Sequence, residues 1–272
     1  RLGIEFWEIS DWNCCGSSAA HNVDHLLAIA LPARNLAIAE KEGLDVAVPC
    51  AACFNRMKVA EQAVRESPGM KESIANLIEL EYEAKNSVRC LLDVMVNVVG
   101  LEAIAKHVVR PLTGLKAACY YGCLLVRPPK TVQFDDPEDP RSMDNLVEAL
   151  GATSVDWAFK TECCGASYST TRTDIALHLL FKIFKNAQAA GANCLVSACP
   201  LCFLNLDMRQ DEVERRYGVS FRTPIFYFTE LMGLAFGYSP KELGLTSHFV
   251  DPTGLINSVG VSGHSGRRRE EA

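Results

Sequence analysis

Apolar residues return at helical spacing in two long stretches of the chain, and each time a short unbroken apolar run follows. Leu26, Leu27, Ala30 and Leu31 mark the first helix, and Ile175, Leu179, Leu180 and Ile183 the second, because residues three and four apart share a helix face. Behind them lie Asp45-Val46-Ala47-Val48-Pro49 and Asn193-Cys194-Leu195-Val196-Ser197. These runs are too short for helices and predict buried strands, with helical residues resuming after each. A third strand is expected within Leu115 to Cys123. Strand and helix in alternation predict an α/β layered fold.

Another helical pattern covers Leu91 to Val109, with Leu92, Val94, Met95, Val98, Val99 and Ile104 approximating one face. Asp93, Asn97, Glu102, Lys106 and His107 interrupt it. It therefore predicts a buried or partner-facing helix rather than a membrane span, which needs roughly 18 to 20 apolar residues in succession. Arg110-Pro111-Leu112-Thr113-Gly114 ends that helix and marks a boundary, and Pro128 to Pro140 reads as an exposed loop.

The two stretches are copies of one unit. A shift of 149 residues lays Cys14, Cys15, Gly16, Cys50 and Cys53 on Cys163, Cys164, Gly165, Cys199 and Cys202, with Ser18 on Ser167 and Phe54 on Phe203. The duplication predicts a first domain over 1–110 and a second over 111–257. The remaining residues, 258–272, with Arg267-Arg268-Arg269 followed by Glu270 and Glu271, are expected to form a flexible tail.

Composition narrows the chemistry. With 272 residues, 49% of them apolar, the chain can bury a substantial core. A formal charge of -6 argues against a nucleic-acid binder, which needs a basic face to displace counterions. Twelve cysteines could form disulfides, but adjacent pairs and Cys-x-x-Cys pairs placed after apolar runs suit metal ligation or redox work better. A cytoplasmic location is expected. The chain opens at Arg1 in mid-pattern with no signal-peptide design, so a preceding segment is expected.

Thiolates that converge on loop ends repel one another and need a cation, which an iron–sulfur cluster supplies. Two neighbouring thiolates can share one iron or serve two, and Gly16 or Gly165 lets the backbone pass close by. Structural zinc or a thioredoxin-like pair leaves both the doublets and the duplication unexplained. In the second copy Cys123, Cys163, Cys164, Cys199 and Cys202 are five candidates where an ordinary cubane uses four. Five indicate either an unusual cluster or one spectator. Cys90, Cys119 and Cys194, in apolar surroundings, are expected to be core thiols. His21 is a candidate proton donor, with a loop or helix-cap role as the plainer reading. Arg172 and Lys160 flank the second motif and could attract an anionic substrate, with ordinary surface charge as the plainer reading.

The pattern Cys123…Cys163-Cys164-Gly165…Cys199-x-x-Cys202 resembles the cysteine-rich CCG domain found in the B subunit of heterodisulfide reductase and in its relatives. Tyr120-Tyr121-Gly122-Cys123, Ser239-Pro240-Lys241-Glu242-Leu243-Gly244-Leu245 and His248-Phe249-Val250-Asp251-Pro252 extend the same resemblance. It implies two duplicated CCG domains related by a pseudo-two-fold axis, each a small layered strand and helix unit. It further implies two noncubane [4Fe-4S] clusters, each on five cysteines, with a disulfide cleaved between them. The second set transfers completely. The first transfers as Cys14, Cys15, Cys50 and Cys53, since the counterpart of Cys123 falls about 26 residues before Arg1 by the same shift.

No Gly-x-Gly-x-x-Gly cradle for FAD or NAD and no ferredoxin cysteine run occurs. Electrons must come from partners. The resemblance gives these as the ferredoxin-like and the flavin-bearing components of a heterodisulfide reductase-type complex, with a small-molecule disulfide or dithiol as substrate. CCG domains also occur in electron-transfer components of lactate, glycolate, succinate or fumarate enzymes, which is the alternative reading.

Overall fold

The computed structural model describes residues 2–17 and 19–260, so the greater part of the expected tail lies outside the described residues. The N-terminal half runs α1 (Ala20–Val23), α2 (His25–Lys41), β1 (Val46–Val48), α3 (Ala51–Glu66), α4 (Pro68–Ile78), β2 (Val88–Cys90), α5 (Leu91–Asp93) and α6 (Leu101–Lys106). The C-terminal half runs β3 (Lys116–Tyr120), α7 (Pro129–Val132), α8 (Ser142–Ala149), β4 (Thr153–Ser154), α9 (Thr173–Ala189), β5 (Cys194–Ser197), α10 (Pro200–Met208), α11 (Gln210–Tyr217), β6 (Ile225–Tyr227), α12 (Phe228–Ala235) and α13 (Thr253–Ser258).

The fold is α/β, as the alternation requires. All strand pairs are parallel, in a two-stranded sheet β1-β2 and a four-stranded sheet β4-β3-β5-β6. The register sets Val48 beside Cys90 in the first sheet, and Tyr120 beside Ser197 and Ser197 beside Tyr227 in the second. Because the strands are parallel, their carboxyl ends share one edge, where ligands bind in open α/β sheets. Units β1-α3 and β5-α10 are the repeated strand and helix of the duplication. β5 is paired on both sides, whereas among the described residues β1 is paired only with β2.

The helices start where local chemistry allows. The Asp24 carboxylate accepts from the Leu27 N–H at 2.7 Å and caps α2. Ser67 caps α4, with Pro68 at its first position. The pattern over Leu91 to Val109 departs from a single amphipathic helix. After α5 the chain widens into a π-helical stretch, Val94–Gly100, and Gly100 breaks it with φ of +87° before α6. Leu92, Val94, Met95 and Ile104 are buried, while Val98 is 61% exposed, because the wider turn rotates it off the face.

The larger core runs through both halves, joining Leu36, Phe54, Ile74 and Leu92 to Leu112, Tyr121, Leu146 and Leu231. A smaller core of Leu180, Ile183, Phe184, Val213 and Ile225 lies on the other face of the four-stranded sheet. Each fully buried side chain of this kind contributes about 1.5–3 kcal/mol relative to exposure. One polar contact ties the halves next to the strand ends: buried Asn55 of α3 donates to the Arg127 carbonyl at 2.8 Å.

Candidate metal centres at the strand ends

Each Cys-x-x-Cys begins where a strand turns into a helix. Cys50 is the cap residue of α3 and Cys199 that of α10. Cys53 and Cys202 follow three residues later, one helical turn on, so both sulfurs of a pair face the same edge. The Cys-Cys-Gly loops reach that edge from the other side. Gly16 and Gly165 have φ of +75° and +76°, a left-handed conformation that glycine adopts without steric cost. A methyl group on Gly16 would lie 2.6 Å from Ala20 Cβ, and one on Gly165 2.9 Å from Ala176 Cα. The absent side chain is thus what lets each thiol pair descend onto the helix that follows.

In the first set, Cys15 Sγ lies 2.9 Å from Cys53 Sγ. In the second, Cys123 interacts with Cys163, and Cys202 with both Cys164 and Cys199. The sets meet at their equivalent members, with Cys50 Sγ 3.9 Å from Cys199 Sγ. Residues 149 apart in the sequence therefore face each other where the two halves meet. Cys14 is exposed and lines the same cavity as Cys15, Cys50 and Cys53.

Within these pairs hydrogen bonding moves the two thiols apart, lowering the pKa of one sulfur and raising that of the other. The hydrogen bond with Cys53 brings the Cys15 thiol down to about 6, and that with Cys123 brings Cys163 down to about 6. Cys164 and Cys199 are lowered by hydrogen bonds with Cys202, while Cys53, Cys123 and Cys202 move up as the donors, with burial adding to the rise. Cys50 moves up, chiefly through Cys199.

Among the described residues no group of three or more His, Cys, Asp or Glu side chains is spaced to hold a single ion. The 2.9 Å contact is a hydrogen-bond separation, shorter than the edge of about 3.8 Å that four sulfurs span around one ion with bonds of about 2.3 Å. The donor chemistry is nonetheless all-sulfur. Five thiols in the second set exceed what one tetrahedral ion binds, and soft, thiolate-only sets suit iron–sulfur clusters. The residues fit such a group.

Buried polar contacts hold the second set in place. The Tyr120 hydroxyl donates to the Glu162 carbonyl at 2.6 Å, next to Cys163, and the Trp157 indole donates to the Cys119 carbonyl at 3.1 Å. The N–H groups of Tyr121 and Gly122 donate to the Lys160 carbonyl. The Lys160 side chain, expected at the surface, is 2% exposed and pairs with Asp144 at 3.0 Å and Asp139 at 3.2 Å. The correction follows from a partner 16 residues away: Asp144 on α8 supplies the charge that makes burial tolerable. Arg172 is exposed and pairs with Asp174, as a surface charge does. His21 lies exposed on α1, and no hydrogen bond among the described residues joins it to a cysteine. Cys90, Cys119 and Cys194 are buried in the core, with burial the leading cause that pushes their thiols up.

Tyr227 was not legible in the sequence. It ends β6, in the place that Cys90 takes at the end of β2. Its hydroxyl donates to the Pro49 carbonyl at 2.5 Å and lies 3.5 Å from that of Ala198, the residues just before Cys50 and Cys199. A hydroxyl from the C-terminal half thus joins the two equivalent loops where the halves meet. Its backbone N–H donates to Glu230 at 2.8 Å, and Glu230 also meets His248 at 3.1 Å.

Beside the first set opens a cavity of about 720 Å³, lined by Cys14, Cys15, Cys50 and Cys53, by residues of β1, and by apolar side chains including Trp7, Trp12, Val94 and Val98. It is large enough for a small organic molecule next to the thiols.

Parallel strands that deliver a duplicated thiol set to a shared edge define a class of cysteine-rich redox domain. The chain belongs to the CCG cysteine-rich domain family, whose model matches residues 1–58 and 117–207, and within it to the branch that resembles the B subunit of heterodisulfide reductase. It is 34% identical over 257 residues to the membrane anchor component of 8-methylmenaquinol:fumarate reductase from Wolinella succinogenes, an alignment covering 93% of this chain and 89% of the relative. It is 32% identical over 260 residues to the B subunit of ferredoxin:CoB-CoM heterodisulfide reductase from Methanosarcina mazei, covering 92% and 85%. A hypothetical protein from Helicobacter pylori shares the fold alone, with a TM-score of 0.60 at 12% identity; the match covers 84% of this chain and spans 42% of that one. No described helix is long and apolar enough to cross a membrane.

Proposed function

We propose that this chain is the iron–sulfur catalytic component of a heterodisulfide reductase-type complex, reducing a disulfide, or oxidising two thiols in reverse, between two noncubane [4Fe-4S] clusters. Cys123, Cys163, Cys164, Cys199 and Cys202 would hold one cluster, and Cys14, Cys15, Cys50 and Cys53 would belong to the other. The reading is supported above all by the approach of Cys50 and Cys199 to 3.9 Å, which makes two equivalent thiol sets neighbours across one boundary. Disulfide reduction consumes two electrons and two protons and releases two thiols, and two one-electron centres side by side match that demand. When bound, the clusters supply those electrons. The chain's own part is to hold the two sets at a constant separation, through the Tyr227 hydroxyl, and to offer the cavity beside Cys15 and Cys50 for the substrate. Electrons would arrive from the ferredoxin-like and flavin-bearing components of the complex, in the cytoplasm.

Metal analysis with electron paramagnetic resonance on anaerobically purified protein tests this reading: iron and sulfide at both sets are expected, and stoichiometric zinc without iron would sink it. In Cys164→Ser, the second cluster's signal and the disulfide-linked activity should both be lost.

A second reading, an electron-transfer component of a fumarate-type oxidoreductase, is favoured by the 34% identity to the Wolinella protein. Oxidation of the reduced protein by a panel of small disulfides supports the first reading; inertness towards all of them, with transfer to a fumarate reductase partner, supports the second.

A further inference from the structure

The shift of 149 residues that pairs the cysteines also pairs their neighbours, and at two of these neighbouring positions the charge differs in the same sense. Arg56 follows Cys53 by one turn of α3. Its equivalent on α10 is Asn205, a neutral side chain that is fully engaged: its amide donates to the Cys164 carbonyl at 2.9 Å and its oxygen meets Ser169 at 3.0 Å. Arg56 has no such employment. It is half-buried, its Nε is shielded from water without a hydrogen-bond partner, and no ion pair among the described residues neutralises it. The second difference precedes the doublets. Asn13, before Cys14, donates its amide to the carbonyls of Cys14 and Leu31. Its equivalent before Cys163 is Glu162, whose carbonyl is held by Tyr120. The first thiol set therefore has an uncompensated cation where the second has an amide, and an amide where the second has a carboxylate.

Adding an electron to either centre adds a negative charge, which a neighbouring cation stabilises and a neighbouring anion opposes. We propose that Arg56 and the Asn13/Glu162 difference make the two centres unequal as electron acceptors, the centre at Cys14, Cys15, Cys50 and Cys53 having the higher reduction potential. This rests on the reading of both sets as iron–sulfur centres. Each step is a one-electron reduction with the electron taken from an external donor, dithionite in the test, and the first electron resides at the N-terminal centre. Arg56 carries most of the difference because its charge is partly shielded, whereas exposed Glu162 is screened by solvent and salt.

The test is a dithionite titration of the full-length, anaerobically purified protein followed by electron paramagnetic resonance, with Cys15→Ser and Cys164→Ser used only to assign the two signals. The wild-type protein should show two midpoints, the N-terminal centre higher. Arg56→Asn should lower that midpoint by about 59 mV, a tenfold change in a one-electron equilibrium, and Arg56→Lys should restore it by returning the charge. Glu162→Gln should raise the other midpoint by less. Coincident midpoints, a higher C-terminal midpoint, or an N-terminal midpoint that ignores Arg56→Asn would overturn the proposal while leaving the iron–sulfur reading intact. Zinc at both sets would overturn both.

Discussion

The two halves present the same cysteine motif in unequal frames. In the C-terminal half the motif grows from a strand paired on both sides, and the loops around it are tied by Tyr120, Trp157 and the buried Lys160–Asp144 pair. In the N-terminal half it grows from β1, paired on one edge only among the described residues, and β1 lines a cavity of about 720 Å³. Yet the thiols are delivered in the same way in both, by a glycine loop and a strand-to-helix turn. The local motif therefore places the sulfurs, while the frame decides how firmly they are held and what can approach them.

Substitution of Lys160 should separate the halves most. Position 160 shifts onto exposed Asp11 in the first half, so Lys160→Met removes support that only the C-terminal half possesses. It leaves Asp144 buried with its charge uncompensated, at a cost of about 4 kcal/mol, seen as a lower urea midpoint. The C-terminal metal site should be lost before the N-terminal one.

The glycines probe what the halves share, since both use them identically. Gly165→Ala should cost about 3 kcal/mol through a strained φ and a contact with Ala176 backbone that cannot yield. Gly16→Ala should cost less, because the closest atom is the Ala20 side chain on the short helix α1. Urea denaturation of the two variants provides the ranking, and the reverse order would count against this account of the loops.

Tyr227 joins the halves, so Tyr227→Phe should loosen both loops together. Removing one hydroxyl hydrogen bond costs about 1 kcal/mol of stability. The readout specific to positioning is the magnetic coupling between the two centres: it should change in this variant while iron content stays at the wild-type level.

The smallest effect concerns pH. Burial alone would push His248 down, but its hydrogen bond and charge interaction with Glu230 outweigh this, and its pKa rises above the ordinary value of 6.5. A raised folded-state pKa means that the stabilisation is complete below the unfolded value and fades as pH rises through the folded one. Thermal unfolding midpoints should accordingly decline as pH climbs past that window, and Glu230→Gln should flatten the decline. The N-terminal half shows no matching pair in its own frame among the described residues.

Much of this was readable along the chain. Leu180 and Ile183 in α9 are buried as the helical periodicity required, and Val46 and Val48 in β1 as their apolar run required, whereas Leu27 at the start of α2 is 39% exposed. The Leu91 to Val109 pattern misled, since periodicity assumes a constant 3.6-residue turn and the π-helical stretch before Gly100 abolishes it. Lys160 misled because burial of a charge depends on a partner brought in from another helix.

The duplication, the α/β class and the membership of each cysteine in the motif were all legible in the order of residues, because each is a matter of local spacing and repetition. The meeting of Cys50 with Cys199, the reach of Tyr227 to the Pro49 carbonyl, and the lack, among the described residues, of an ion-pair partner for Arg56 beside the first set came only with the folded molecule. Those facts depend on how the two halves dock through a shared core. Docking is set by packing summed over many residues distant in sequence, which no local pattern encodes.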